Sequence, residues 1–460
     1  MQYLTRIWSK VLNRHADAPT NVSAVDDDSL DERYATAKLT FAALGTLDNE
    51  GRKLRWSLSL SFRIQEDGSR RLRIRGYALD GEEAPALALR LSGASDDFEV
   101  AADQNRRDVL RALKIAPERH DQLALCGFAA DVRVLDDVLN IQILLEGRRI
   151  DLGEAKLESQ VLFGHEGWLF LAGDRNDSPE QFSRDFVPDR GWRDGWTSYF
   201  AAYQALTSTP GLKSRSFVIA PSKEELFPEL YPLPPARHRL IHELLDRFSD
   251  ESGLVWPLEI LRPQRELSFD RSETHWTDFG ARLVCEELMR NWGLKLPDLP
   301  QLFSLAAARG DLGDKVTPRL MTHRPAAQWQ NGSKLIFDNF VLHHGNILVW
   351  SNPKPHIDET LMIFGGSSSA HMIRYFSAVF ARVVFVYSAG SWDADLLALE
   401  RPSRLILQTS QRFLKVPPQP EVKAREVALQ KIEKKQITCR KDHAEAMAAW
   451  TDPSVAALLG

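Results

Sequence analysis

Two segments of the chain carry residue types that could act on an acyl group. The first reads Leu361-Met-Ile-Phe-Gly365-Gly366-Ser367-Ser368-Ser369-Ala370-His371, an apolar run, then two glycines, then serine. Met372, Ile373, Phe376, Val379 and Phe380 follow at helical spacing on one face. Glycine permits a tight turn that a bulkier residue could not make. Ser367 would then stand at the carboxyl end of a strand and the N-terminus of a helix. Backbone N–H groups and the helix dipole stabilise an oxyanion there, and open α/β sheets place their sites at such strand ends. The plainer alternative is that Ser367 or Ser369 only caps the helix, a task serine performs well.

The second segment reads Ser268-Phe-Asp270-Arg271-Ser272-Glu273-Thr274-His275-Trp276-Thr277-Asp278-Phe279-Gly280-Ala281. Thr277 is a suitable N-cap, which puts His275 in the loop just before a helix. A serine hydroxyl needs a neutral imidazole to take its proton, and that imidazole needs an acid to fix its tautomer. Glu273, two residues before His275, can supply the acid from the same loop. The alternative is a surface histidine beside ordinary acids.

These residues need a scaffold, and the pattern of the chain supplies two kinds. Residues 16–32 are polar and acidic and read as a linker after a short N-terminal helix. From 33 to 158 the hydrophobic period is two: Trp56, Leu58, Leu60, Phe62 and Ile64 alternate with Ser57, Ser59, Ser61 and Arg63. Glu66-Asp67-Gly68-Ser69 and Asp80-Gly81 have turn chemistry, and one short helix near Arg106–Ile115 interrupts the strands. This predicts a β-sandwich-like accessory domain, with Arg70, Arg71, Arg73 and Arg75 on solvated strand faces. Such a module beside an enzyme often binds sugar or docks a partner. From 159 to 416, short apolar strands (216–220, 253–257, 361–364, 382–387, 404–408) alternate with helices predicted at Ala236–Phe248, Thr277–Trp292 and Ala370–Ala381. That alternation predicts an α/β domain with a mainly parallel sheet covered on both faces. Residues 417–460 are charged and helix-prone, a packing or assembly tail.

Composition narrows the class. The 460 residues are 43% hydrophobic and 26% charged, with a formal net charge of −5, which disfavours a dedicated nucleic-acid binder. Cys126, Cys285 and Cys439 lie far apart and offer neither a disulfide framework nor a zinc site. Leu4, Ile7, Trp8, Val11 and Leu12 mark one face of an N-terminal helix rather than a secretory signal, and no stretch is apolar enough to span a bilayer. The expected compartment is therefore the cytoplasm, with peripheral membrane contact through that helix as the variant.

Several blocks, in order, are similar to one known group. Gly164-His-Glu-Gly167-Trp168-Leu169-Phe170-Leu171 looks like an opening "GxxGWLFL" strand, and Ile219-Ala-Pro221-Ser-Lys223-Glu-Glu-Leu-Phe227-Pro228-Glu229 like a "P-x-K…YPE" block. Glu273-Thr-His275-Trp276-Thr277 with Gly280-Ala281 looks like "D-x-HW…GA", Gly310-Asp311-Leu312-Gly313 like "GDL", and Gly365-Gly366-Ser367 like "GDS". Glu400-Arg-Pro402 followed by Arg412 looks like a closing "E-x-P…ER" strand. Together they resemble the SGNH-hydrolase-like group that includes the alginate O-acetyltransferases of the AlgJ/AlgX type. Glu273 stands where that group usually has Asp, and Gly366 replaces the Asp before its serine.

The resemblance implies an SGNH-like three-layer α/β/α domain and a serine-dependent acyl transfer on carbohydrate, as O-acetyltransferase or O-acetylesterase. Ser367 would be the nucleophile, His275 the base and Glu273 its orienting acid. Gly365, Gly366 and Ser368 would shape the turn and oxyanion hole, with substrate contacts from Trp276, Asp311 and Arg412; Gly-Asp-Leu-Gly is equally a turn. The implied partners are a carbohydrate or acylated sugar and proteins of polysaccharide synthesis, with no cofactor and no metal. A non-catalytic scaffold subunit that keeps the fold is the alternative from another class, and a lipid or thioester hydrolase a third. Trp168, Trp276, Trp192 and Trp196 could stack on sugars or fill the core. His371 is expected to pack, and the pair His343-His344 is too isolated to hold a metal.

Overall fold

The computed structural model describes residues 34–41, 54–65, 69–80, 84–249, 251–297, 303–327 and 332–434. The N-terminal helix, the two turns at 66–68 and 81–83, Cys439 and the tail beyond 434 lie outside the described residues.

The period-two region forms two antiparallel sheets. In the larger, Leu54–Ile64 pairs with Arg70–Asp80, which pairs with Leu125–Val134. In the smaller, the order runs Lys38–Phe41, Arg148–Lys156, Val138–Leu145, Ala88–Ser92, Asp97–Ala101. The register places Leu60 opposite Ile74 and Phe62 opposite Leu72, all four buried, as alternation requires. The alternation fails at one end of Leu54–Ile64: Ile64 is 54% exposed, and Ser61 is buried because Thr36 pairs with it. The alternating arginines stay at least partly exposed; Arg71 pairs with Asp131, and Arg73 lies over the Tyr34 ring. Tyr34–Thr36 also pairs with Val316–Thr317, so a strand from far along the chain completes this sheet.

The α/β region is built on a seven-stranded sheet. Its order is Leu254–Val255, Ser214–Ala220, Arg404–Ser410, Ile357–Gly365, Phe380–Tyr387, Ile347–Ser351, Lys334–Asp338. The first five strands are mutually parallel; the sixth runs antiparallel to the fifth, and the seventh antiparallel to the sixth. Met362, Phe364, Val384, Val386, Leu405 and Leu407 join Trp196, Tyr199 and Phe200 of the helix Arg190–Ala205 and Leu244 of the helix Leu240–Phe248 in one core. By strand alternation Leu361, Ile363 and Phe385 point the other way, where the helices Asp278–Asn291 and Ser367–Val379 pack against each other and the latter against the sheet.

Element boundaries differ from the sequence expectation for local reasons. The helix predicted from Ala236 begins at Leu240; the Ala236 and His238 N–H groups before it donate to Phe182 O and Asp185 Oδ1. The helix predicted from Ala370 begins at Ser367 and gives way to a strand at Phe380. A hairpin of Phe303–Arg309 and Met321–Ala327 was not expected. Part of the tail does pack: Ala424 and Ala428 of the helix Ala424–Glu433 enter the main core. Cys126 and Cys285 are free and buried. No described helix is long and apolar enough to cross a membrane.

Candidate active site

The strand Ile357–Gly365 delivers Gly366 and Ser367 to the carboxyl edge of the parallel sheet. Gly366 is the N-cap, with no side-chain cap bond, and Ser367 is the first residue of the helix. Ser369 does not cap either; its hydroxyl donates to Gln408 Oε1 at 2.7 Å. The cap-only alternative for both serines is therefore removed. Gln408 Oε1 also accepts from Gly366 N–H at 2.8 Å, which fixes the turn from the neighbouring strand. That N–H is thereby engaged in the turn, which leaves Ser367 N–H and Ser368 N–H as the candidate oxyanion donors. As the first N–H groups of a 13-residue helix, these two have no intrahelical acceptor.

The histidine loop is held from several sides. Thr277 N–H donates to Ser268 O at 2.8 Å, and Thr277 caps the next helix by accepting from Gly280 N–H at 3.2 Å, as expected. Asp270 Oδ1 accepts from Ser272 N–H and Ser272 Oγ–H, at 2.7 and 2.6 Å. The buried Lys223 ammonium donates to Arg271 O at 2.9 Å and Asp270 O at 3.3 Å. Leu312 and Gly313 N–H both donate to Ser272 O at 3.0 Å, so the Gly310–Gly313 segment is laid directly on the loop. Gly310 is required there: a Cβ would come within 1.9 Å of Ser272 O.

From these two supports the side chains converge. Ser367 Oγ lies 2.6 Å from His275 Nε2, and His275 Nδ1 lies 2.7 Å from Glu273 Oε1. With Nδ1–H donating to the carboxylate, Nε2 is the acceptor and Ser367 Oγ–H the donor. Glu273 is buried, and its second oxygen accepts from Arg324 Nη1 at 3.0 Å and from Asp311 N–H at 3.4 Å. Burial alone would raise the Glu273 carboxyl, but the bond to His275, its charge, Asp311 and Arg324 together hold it well below the ordinary carboxylate range.

The remaining sequence candidates divide. Asp311 lies beside the triad, accepting from Thr274 N–H and Thr274 Oγ–H, each at 2.8 Å. Trp276 is 1% exposed and presents no face to a sugar; its Nε1–H donates to Ser368 O at 2.9 Å, tying the histidine loop to the Ser367–Val379 helix. Trp192 and Trp196 are core residues whose indole N–H groups both donate to Leu414 O. Trp168 is partly exposed and packs on Phe227 with ring centroids 4.0 Å apart. The Arg412 guanidinium lies 5.1 Å from the Phe413 ring centroid. His371 packs, with Nδ1 2.8 Å from Asp278 Oδ1. Arg324, Gln408 and Lys223 had no role assigned from sequence. Burial lowers the Lys223 ammonium to about 8, against the opposing pull of Glu224, Asp311, Asp270 and Glu273.

Donor atoms of Glu273, His275 and Asp311 lie within 4.8 Å of one another, a spacing that could suit a metal ion. The Arg324 guanidinium already supplies the cation against Glu273, and His275 Nε2 faces Ser367.

No protein-family model matches the chain, and no curated protein does. Among solved structures it is similar to the O-acetyltransferase domain of Pseudomonas putida AlgJ, at 17% identity and TM-score 0.37, covering 56% of this chain and 93% of that one. It is similar to Bacillus cereus PatB1 with a sulfonyl adduct, at 11% identity and TM-score 0.40, covering 56% and 95%. A DHHW family protein from Eubacterium siraeum matches at 10% identity and TM-score 0.39, covering 60% and 92%.

Proposed function

We propose that the chain catalyses serine-dependent acyl transfer on carbohydrate, as an O-acetyltransferase or O-acetylesterase working through an acetyl-serine. The observation that carries this reading is the continuous contact Ser367 Oγ–His275 Nε2–Glu273 Oε1, at 2.6 and 2.7 Å. Three side chains in this order match what hydroxyl activation demands: nucleophile, neutral base, buried anion behind the base.

In the first half-reaction Ser367 Oγ attacks the acyl carbon while its proton passes to His275 Nε2. The charge that develops on the acyl oxygen is met by Ser367 N–H, Ser368 N–H and the dipole of their helix. The carbon–oxygen bond to the donor breaks, and the leaving oxygen takes the proton from His275. In the second half-reaction a sugar hydroxyl, or water, gives its proton to His275 and attacks the acyl-serine, and Ser367 Oγ regains that proton as it leaves. The ordered motifs that resemble the alginate O-acetyltransferases supply the choice of acetyl and carbohydrate. In the same reading the helices on the two sheet faces are the three-layer SGNH-like arrangement of residues 159–416, and the antiparallel sheets of 33–158 are its sandwich-like accessory part.

The test is acetyl release from p-nitrophenyl acetate. Ser367→Ala and His275→Ala should each lower turnover by roughly a thousandfold or more while the protein stays folded. Undiminished turnover in Ser367→Ala would remove the assignment.

A further inference from the structure

Asp311 is a second carboxyl at the site that the acyl-transfer chemistry does not use. Glu273 and Asp311 are set side by side by the docking of the Gly310–Gly313 segment on the histidine loop. Thr274 N–H is shared between them, 3.0 Å from Glu273 Oε1 and 2.8 Å from Asp311 Oδ1. One oxygen of each carboxyl and a His275 ring nitrogen fall within 4.8 Å of one another.

Two carboxyls this close do not both ionise readily, because each charge disfavours the other. Their surroundings decide which one keeps the proton. Glu273 faces the Arg324 guanidinium and the His275 ring, so its charge is matched. Asp311 faces the N–H and hydroxyl of Thr274. The groups that oppose its protonation are the His275 ring, Lys315 on its own segment, and Lys223, whose ammonium donates to the carbonyls of Asp270 and Arg271.

We propose that Asp311 is a positioning residue that stays protonated at neutral pH and donates its carboxyl proton to Glu273. Ser367, His275, Glu273 and Asp311 then form one hydrogen-bonded chain with a single negative charge, on Glu273. Enclosure first, and then the Glu273 charge, push the Asp311 carboxyl above its ordinary value, in keeping with this assignment. The consequence for function rests on the acyl-transfer reading, whereas the protonation state does not.

Two measurements on the full chain test it. In the infrared difference spectrum of wild type minus Asp311→Asn at neutral pH, the C=O stretch of a protonated carboxyl should be present in wild type and gone in the variant. Loss of carboxylate bands instead would overturn the proposal, whether or not the protein turns over an ester. In p-nitrophenyl acetate hydrolysis, Asp311→Asn should keep kcat/KM within about threefold, since its amide can donate to Glu273 and accept from Thr274 N–H. Asp311→Ala should lose roughly ten- to hundredfold through misplacement of His275. An Asn variant as slow as the Ala variant would also overturn it. If wild type fails to turn over any ester while the protonated-carboxyl band behaves as stated, the acyl-transfer reading falls and the assignment of the proton stands.

Discussion

Replacing Arg324 by Gln removes the cation that faces the buried Glu273 carboxylate at 3.0 Å, where the two side chains are only 15% and 10% exposed. At an effective dielectric near 20, unit charges at that separation attract by about 5 kcal/mol, much of it offset by desolvation. Leaving one member of a buried pair alone costs about 3–5 kcal/mol. Glu273 keeps His275 Nδ1–H, Thr274 N–H and Asp311 N–H as donors. The loss in unfolding free energy should therefore sit at the low end, about 3 kcal/mol. Because Glu273 is held below its unfolded value, the stability it contributes is complete above the ordinary carboxylate range and is lost as pH falls through its lowered folded value. The deficit of Arg324→Gln should accordingly be full at neutral pH and shrink on acidification, as Glu273 takes up a proton in both proteins. Urea unfolding at neutral and acidic pH measures this. A neutral-pH deficit under about 0.5 kcal/mol, the usual effect of an inconsequential surface change, or one that grows towards acid, would refute the reasoning.

Two further outcomes follow from close contacts around the site. Gly310→Ala should destabilise by about 2 kcal/mol or more, because its Cβ would press on Ser272 backbone, whereas Gly366→Ala should stay within about 1 kcal/mol of wild type. At Gly366 the backbone is extended and the nearest atom, Gln408 Oε1, is at an ordinary 3.6 Å; thermal melts of both variants give the comparison. Trp276→Phe keeps an aromatic ring but removes the N–H that Ser368 O accepts; its kcat on p-nitrophenyl acetate should fall by roughly tenfold or more as the loop and helix lose their register.

Much of the candidate site's arrangement was legible because its signals are local. A strand ending in Gly365-Gly366-Ser367 before an apolar-faced helix, and Glu273 two residues from His275 before a Thr cap, are short patterns whose geometry follows from turn and cap chemistry. The parallel strands were legible for a similar reason: runs such as Leu361–Phe364 and Val383–Val386 are apolar at every position, as burial on both faces requires. Arg324 was not legible. It lies on a hairpin whose strands, Phe303–Arg309 and Met321–Ala327, are rich in Ala and interrupted by Pro325, so neither propensity nor alternation marks them. Lys223 stood in one of the motif-like blocks, but a fully buried lysine runs against the usual partition; here the carbonyls of Asp270 and Arg271, the nearby carboxyls and the Trp168 and Phe170 rings surround its ammonium. Trp276 misled for the opposite reason: a tryptophan beside a candidate base suggests a sugar platform, yet here its N–H is spent within the protein. The strand exchange of Val316–Thr317 with Tyr34–Thr36 joins segments some 280 residues apart, a separation that no local pattern encodes.

The most direct test of the central claim is to trap the intermediate. Wild type mixed with p-nitrophenyl acetate, quenched in acid and digested, should carry one acetyl group on the peptide containing Ser367, and His275→Ala should carry none. Ester turnover with the acetyl group on another residue, or with Ser367 never acetylated, would contradict the account.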